Sequence, residues 1–157
     1  RLALDQARLT AYLRALPAEE RGRRVALAAA RALVAQDAVG EAQKLIEAVL
    51  DATGNDSWQS ELLTLYGRLS GGELTARIAK AEAWLRQHPD DARLLDALGR
   101  MCLQQRLWGK AQSYFEASLA VEPTQQAHLE LARLADQLER PEEANKHYRA
   151  SALLDNR

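Results

Sequence analysis

Leu2, Leu9, Leu13 and Leu16 fall on one stripe of a helix with polar residues between them, the spacing of an amphipathic α-helix. Segments of the same kind follow to the end of the chain. They are separated by turn-forming clusters at Gly54-Asn55-Asp56, Gly71-Gly72 and His88-Pro89-Asp90. The pattern predicts helices near 2–16, 18–36, 39–53, 57–70, 73–88, 91–105, 107–121, 125–138 and 141–154. Pro141 opens the last of these, since proline suits a first turn, and Glu142 and Glu143 complement the positive end of the helix dipole. Asp90 and Asp91 stand at another helix start for the same electrostatic reason.

The segment from Ala92 to Thr124 carries Leu95, Leu98-Gly99, Cys102, Ala111, Phe115 and Pro123, offsets that match the tetratricopeptide signature. Two short antiparallel helices cross closely where Gly99 and Ala111 offer almost no side chain, and the large residues around them fill the seam. The small pair recurs as Ala30 and Ala42, Gly67 and Ala79, Gly99 and Ala111, and Ala132 and Ala144, always twelve residues apart. Four residues beyond the second member stands Ile46, Ala83, Phe115 or Tyr148. The expected fold is all-α: a right-handed tetratricopeptide solenoid of about four helix-turn-helix repeats plus a leading helix. The repeats fall at 23–56, 60–91, 92–124 and 125–157 of a single domain spanning 1–157, and 1–22 is the leading helix of a truncated preceding repeat. A shortfall of about two residues before Pro89 and a small insertion from Gly54 to Gln59 interrupt the period. The start at Arg1-Leu2, without an initiating Met, reads as a piece excised from something larger.

Composition agrees with helices. The chain is 47% apolar but only 5% aromatic, and abundant Ala, Leu, Arg, Glu and Gln lose little entropy on entering a helix. With 21 basic and 22 acidic residues the net charge is −1, so no global field draws nucleic acid or an anionic membrane. The lone Cys102 excludes an internal disulfide framework and a zinc site of linked thiolates. The longest apolar run, Val25 to Ala30, is flanked by Arg23, Arg24 and Arg31 and is far too short to span a membrane. No P-loop, Cys-x-x-Cys, His-Glu-x-x-His or Gly-x-Ser-x-Gly pattern occurs. The expectation is therefore a non-enzyme with no metal and no cofactor. Trp58, Trp84 and Trp108 read as packing between repeats.

Several runs carry a more specific likeness. They are Leu62-Leu63-Thr64-Leu65-Tyr66-Gly67-Arg68-Leu69, Ala81-Glu82-Ala83-Trp84-Leu85 with His88-Pro89, and Leu94 to Arg100. Trp108-Gly109-Lys110-Ala111, Tyr114-Phe115-Glu116 and Ser118-Leu119 follow, and Leu16-Pro17 precedes the Ala-rich helix. Over most of residues 12–157 the chain resembles the C-terminal repeat region of the HemY family of proteobacterial inner-membrane proteins. The resemblance implies an anchor of N-terminal membrane helices outside this chain, with the repeat domain on the cytoplasmic side, or alternatively the periplasmic side. It also implies an association with late haem (protohaem IX) biosynthesis as a scaffold for tetrapyrrole enzymes. Candidate haem ligands are Cys102, His88, His128 and His147. Cys102 stands in a column of buried aromatics and is expected in the core, and His88 ends a helix, where an imidazole is favoured without any ligand. His128 and His147 show no partner at metal-ligand spacing, so no haem-iron site is expected.

An arginine follows the small residue of each first helix: Arg31, Arg68, Arg100 and Arg133, at intervals of 37, 32 and 33 residues. First helices line the concave groove of a tetratricopeptide array, so these positions predict an arginine ladder there. Arg24, Leu27, Val34, Arg93, Leu103, Gln104, Leu129 and Gln137 are expected on the same face. Planar guanidiniums suit carboxylates, which points to acidic segments of partner proteins. The plainer alternative is intramolecular pairing with acids such as Glu61, Asp96 and Asp136. Two rival functions use the same features: a carrier in which the arginines clamp porphyrin propionates, and an assembly module that homodimerises through a terminal face bearing Leu153 and Leu154.

Overall fold

A computed structural model describes residues 18–52 and 58–155, together with Arg8. All regular structure among them is α-helical: α1 Ala18–Ala35, α2 Val39–Asp51, α3 Ser60–Arg68, α4 Leu74–Gln87, α5 Ala92–Gln104, α6 Trp108–Val121, α7 Gln125–Gln137 and α8 Pro141–Asp155. The expected helix at 2–16 and the Gly54-Asn55-Asp56 cluster lie outside the described residues. The chain divides into two compact units, Arg1–Glu73 and Leu74–Arg157, and the division falls inside the segment 60–91 that the sequence reads as one repeat. In the first unit α1 packs on α2, and α3 touches both. In the second, each helix from α4 to α8 packs on the next, most extensively within the hairpins α5–α6 and α7–α8.

Three interhelical turns share one backbone solution. Asp37, Arg106 and Glu139 take left-handed φ angles of 61°, 59° and 58°. The following N–H then reaches back five residues: Ala38 to the carbonyl of Leu33 at 2.8 Å, Leu107 to Cys102 at 2.9 Å, and Arg140 to Ala135 at 2.8 Å. This closure satisfies carbonyls that a helix end leaves orphaned. Helix starts are satisfied too. The Asp91 carboxylate accepts from the N–H groups of Arg93 and Leu94 at 3.0 and 3.1 Å, and the Thr124 hydroxyl accepts from Ala127 N–H at 3.2 Å.

The link from α3 to α4 is built otherwise, and it explains one failed expectation. Leu69 leaves α3 extended (φ −59°, ψ 131°), and Gly71 and Gly72 turn the chain at φ 84° and 66°. Glycine is needed there because both angles are left-handed. The buried residues Leu62, Leu63, Tyr66 and Gly67 match Leu94, Leu95, Leu98 and Gly99, 32 positions on, yet α4 begins 34 positions before α6. The link is thus two residues shorter than its counterpart. Ala79, paired with Gly67 by sequence, is exposed, while Arg77, Ile78, Ala81 and Trp84 are buried. The buried Arg77 occupies the column of small residues instead.

Elsewhere the small columns hold: Ala30, Ala42, Ala111, Ala132 and Ala144 are all buried. The close crossing of α5 and α6 rests on Gly99, because a Cβ there would sit 2.7 Å from Cε1 of the Phe115 ring. Around Phe115 lie buried Cys102, Ala111, Leu131 and Leu134, with Leu103, Trp108, Tyr114, Leu119 and Leu138 packed against them. Cys102 is thus a core residue, as its column predicts. Ser118 and Ser151 hydroxyls donate to the carbonyls of Ala92 and Gln125 at 3.0 and 3.4 Å, one such bond per hairpin. Tyr148, expected in the column of Phe115, is 38% exposed, and its hydroxyl donates to Asp136 at 2.7 Å.

The crossing yields a paired test. Gly99→Ala forces its methyl into a buried ring and should cost about 1–3 kcal/mol. Gly109→Ala, with nothing within 4 Å of the new Cβ, should be neutral or stabilise by up to about 1 kcal/mol. Urea unfolding of the two variants checks both signs.

Candidate functional site

The predicted recognition residues are distributed over both units. On α1, Arg24, Leu27, Arg31 and Val34 follow helical spacing along one stripe. Both arginines are exposed, Leu27 is half-buried, and Val34 is 36% exposed. Arg68, the last residue of α3, is exposed. In the second unit Arg93 and Gln104 of α5 and Gln137 of α7 are exposed, while Leu129 is half-buried. Leu103 packs against the core cluster, so part of its surface serves the fold.

The structure brings Arg100 and Arg133 together around one carboxylate. Arg100 Nε lies 3.2 Å from Asp96 Oδ2 and its Nη2 lies 3.8 Å from Glu130 Oε1. Arg133 Nη1 lies 3.5 Å from the same Glu130 oxygen, which also accepts from Gln126 Nε2 at 2.9 Å. Glu130 and Arg100 side chains are only 11% and 18% exposed, whereas Arg133 is 62% exposed. Asp96 serves Arg100 as the sequence suggests, but Asp136 accepts from Tyr148 and Glu130 meets Arg133. Glu130 escaped notice because it stands in the column of Ala97, a buried apolar position. Its signal in the sequence is its place three residues before Arg133, one turn away on the same helix face.

A second polar site joins α4 to α6. Glu82 Oε1 accepts from Lys110 Nζ at 3.1 Å and from the Tyr114 hydroxyl at 2.9 Å. Burial works to raise the Glu82 pKa, but the hydrogen bonds from Lys110 and Tyr114 and the Lys110 charge together hold it below the ordinary carboxylate range. The equivalent columns between α6 and α8 hold Glu116, Glu143 and His147. With Gln112 and Arg140 they line a cleft floored by Leu131, Leu134, Ala135 and Leu138. There Arg140 Nη1 is 3.8 Å from Glu143 Oε2, and Gln112 Nε2 donates to Glu116 Oε1 at 2.9 Å.

The histidines correct another expectation. His128 and His147 are far apart in sequence, yet the antiparallel α7–α8 hairpin sets their Nδ1 atoms 2.9 Å apart, with ring centroids at 5.2 Å. Burial lowers the pKa of both. For His128 the neighbouring His147 adds to the effect; for His147 it is Lys146 that adds, against Glu116 and Glu143. Among the described residues no group of three or more His, Cys, Asp or Glu is arranged to hold a metal ion, and no helix is long and apolar enough to cross a membrane.

No protein-family model matches the chain, and no curated protein matches it. Solved structures do. MamA (residue 41 to the end) from Desulfovibrio magneticus RS-1 aligns with a TM-score of 0.65 at 17% identity, covering 99% of this chain and 95% of that one. MamA of MSR-1 gives 0.62 at 17% identity, covering 97% and 90%. MamA of AMB-1 gives 0.59 at 23% identity, covering 83% and 76%. The fold is a tetratricopeptide-like helical solenoid.

The bridge through Glu82 makes a pH test within this fold. A carboxyl whose folded pKa lies below its unfolded value adds stability that is present above the unfolded pKa and is lost as pH falls through the folded one. Wild type should therefore lose stability as pH drops through and below the ordinary carboxylate range, and Glu82→Gln should lose less over the same window. The difference between the two urea-unfolding profiles from pH 7 to pH 3 measures it.

Proposed function

We propose that this chain is a non-catalytic protein-binding scaffold module that recognises acidic segments of partner proteins along its first helices. The observation that carries the reading is the pairing of Arg100 and Arg133 on α5 and α7, the first helices of consecutive repeats, around a single carboxylate. Glu130 satisfies one edge of each guanidinium, and a guanidinium has five N–H donors. Arg133, mostly exposed, keeps donors to offer a carboxylate from outside. Arg31 and Arg68 hold the matching sequence positions in the first unit and are exposed. The fold shared with MamA is compatible with such a role.

The resemblance to the HemY repeat region supplies the setting. The partners are then enzymes of late haem biosynthesis, gathered at a bacterial inner membrane through an anchor outside this chain, with the repeats on the cytoplasmic side. Nucleic acid is not among the partners, given a net charge of −1.

Affinity capture from detergent-solubilised membranes tests the reading. One bait is the wild-type chain. The second carries Arg31→Ala, Arg68→Ala, Arg100→Ala and Arg133→Ala, and a third omits Arg100→Ala so that the half-buried pair with Asp96 stays intact. All three are matched for folding by circular dichroism. Retention of tetrapyrrole enzymes by the wild type and their loss from both variants is the expected result. Equal capture by all three baits would remove the arginines from recognition. A Soret shift on porphyrin titration that vanishes in the variants would make the ligand a propionate rather than a protein.

A further inference from the structure

The repeat columns show what is unusual about the histidine pair. The position that holds buried Leu63 in α3 and buried Leu95 in α5 holds His128 in α7. The position that holds Tyr114 in α6 holds His147 in α8. Two imidazoles thus face each other across the α7–α8 hairpin where a leucine and a tyrosine stand one repeat earlier. As packing this is a poor exchange, since a half-buried polar ring contributes less than leucine and needs hydrogen bonds to offset its desolvation.

We infer that His128 and His147 form a two-imidazole clamp for a borderline divalent transition ion of the Zn²⁺ or Ni²⁺ type, held between α7 and α8. The Nδ1 atoms are 2.9 Å apart. An ion at about 2.0–2.1 Å from each nitrogen in tetrahedral geometry needs them roughly 3.3 Å apart. The rings therefore have to separate by about half an ångström, less than the freedom of a χ2 rotation about sp²-terminated side chains. No proton is lost in the process. The ring that donates through Nδ1–H in the free protein passes that proton by way of solvent to its own Nε2, and both Nδ1 lone pairs then face the ion. Burial and Lys146 keep His147 neutral, the state in which its nitrogen can bind a metal, although Glu116 and Glu143 act the other way. Nitrogen ligands select against Mg²⁺ and Ca²⁺, which take oxygen. With no third His, Cys, Asp or Glu arranged as a ligand among the described residues, water fills the remaining positions. The site therefore exchanges its ion readily, unlike a closed structural site.

Isothermal titration with ZnCl₂ and with NiCl₂ in metal-free buffer tests the clamp on the full chain. The expected result is one ion per chain, with affinity falling roughly tenfold or more in His128→Leu, which restores the leucine of the column, and in His147→Gln. His88→Ala, the third histidine, should leave it unchanged. Saturating Zn²⁺ should also raise Tm in the wild type and not in either clamp variant, because an ion bound only to the folded state stabilises it by mass action. Absence of binding by the wild type overturns the proposal and leaves a plain hydrogen-bonded pair. Binding that survives in folded His128→Leu overturns it equally.

Discussion

The ring of Phe115 lies where Gly99 has no side chain, and that single contact sets how near α5 and α6 can come. Any larger residue at 99 would hold the helices apart, and the buried neighbours Cys102, Ala111, Leu131 and Leu134 would lose the contacts that make the cluster dense. Because Leu131 and Leu134 belong to α7, the same ring helps decide how the next repeat seats. A repeat of this kind cannot cover its own apolar face and relies on its neighbour to do so. The spacing within one hairpin is thereby passed to the helix beyond it.

Position along the helices is fixed separately, by the turns. Asp37, Arg106 and Glu139 accept a left-handed backbone that L residues reach only at a cost. In return, each turn closes the same five-residue hydrogen bond and starts the second helix at the same offset. Identical turns put equivalent columns opposite one another. That is why Ser118 and Ser151 find equivalent carbonyls. The α3–α4 link lacks the motif, and there the columns slip by two residues and the chain divides into units.

This division of labour explains what was legible in the sequence. The small residues, the buried Cys102, the capping Asp91 and the proline that opens α8 each express a local rule, and local rules can be read along one strand of text. The Gly67 and Ala79 pairing failed because a turn of unusual geometry changes the offset without changing residue types. The candidate site was half legible. Periodicity placed the arginines on first helices and offered Asp96 to Arg100. The carboxylate they share was hidden, since Glu130 sits where the period demands a small apolar residue. The histidine contact was hidden for a different reason: it exists only between helices, across a hairpin whose register the turn decides.

Both surprises fall on α7. Glu130 replaces the alanine of its column and His128 replaces the leucine of its own, two departures from apolar patterning within three residues of one helix. Each puts a polar group at a position the preceding repeat fills with carbon, and each recovers part of that loss through a specific contact, Glu130 with Arg100 and Arg133, His128 with His147. They point to opposite sides of the hairpin's business: Glu130 looks toward the first helix α5, and His128 toward the second helix α8. A sequence under selection for packing alone would keep alanine and leucine there, because isolated buried polar pairs rarely stabilise more than well-packed apolar residues do. Departures from local consistency concentrate where a protein does something besides fold. On that physical ground the polar groups of α7, with the guanidiniums and the imidazole they engage, answer to a constraint other than packing.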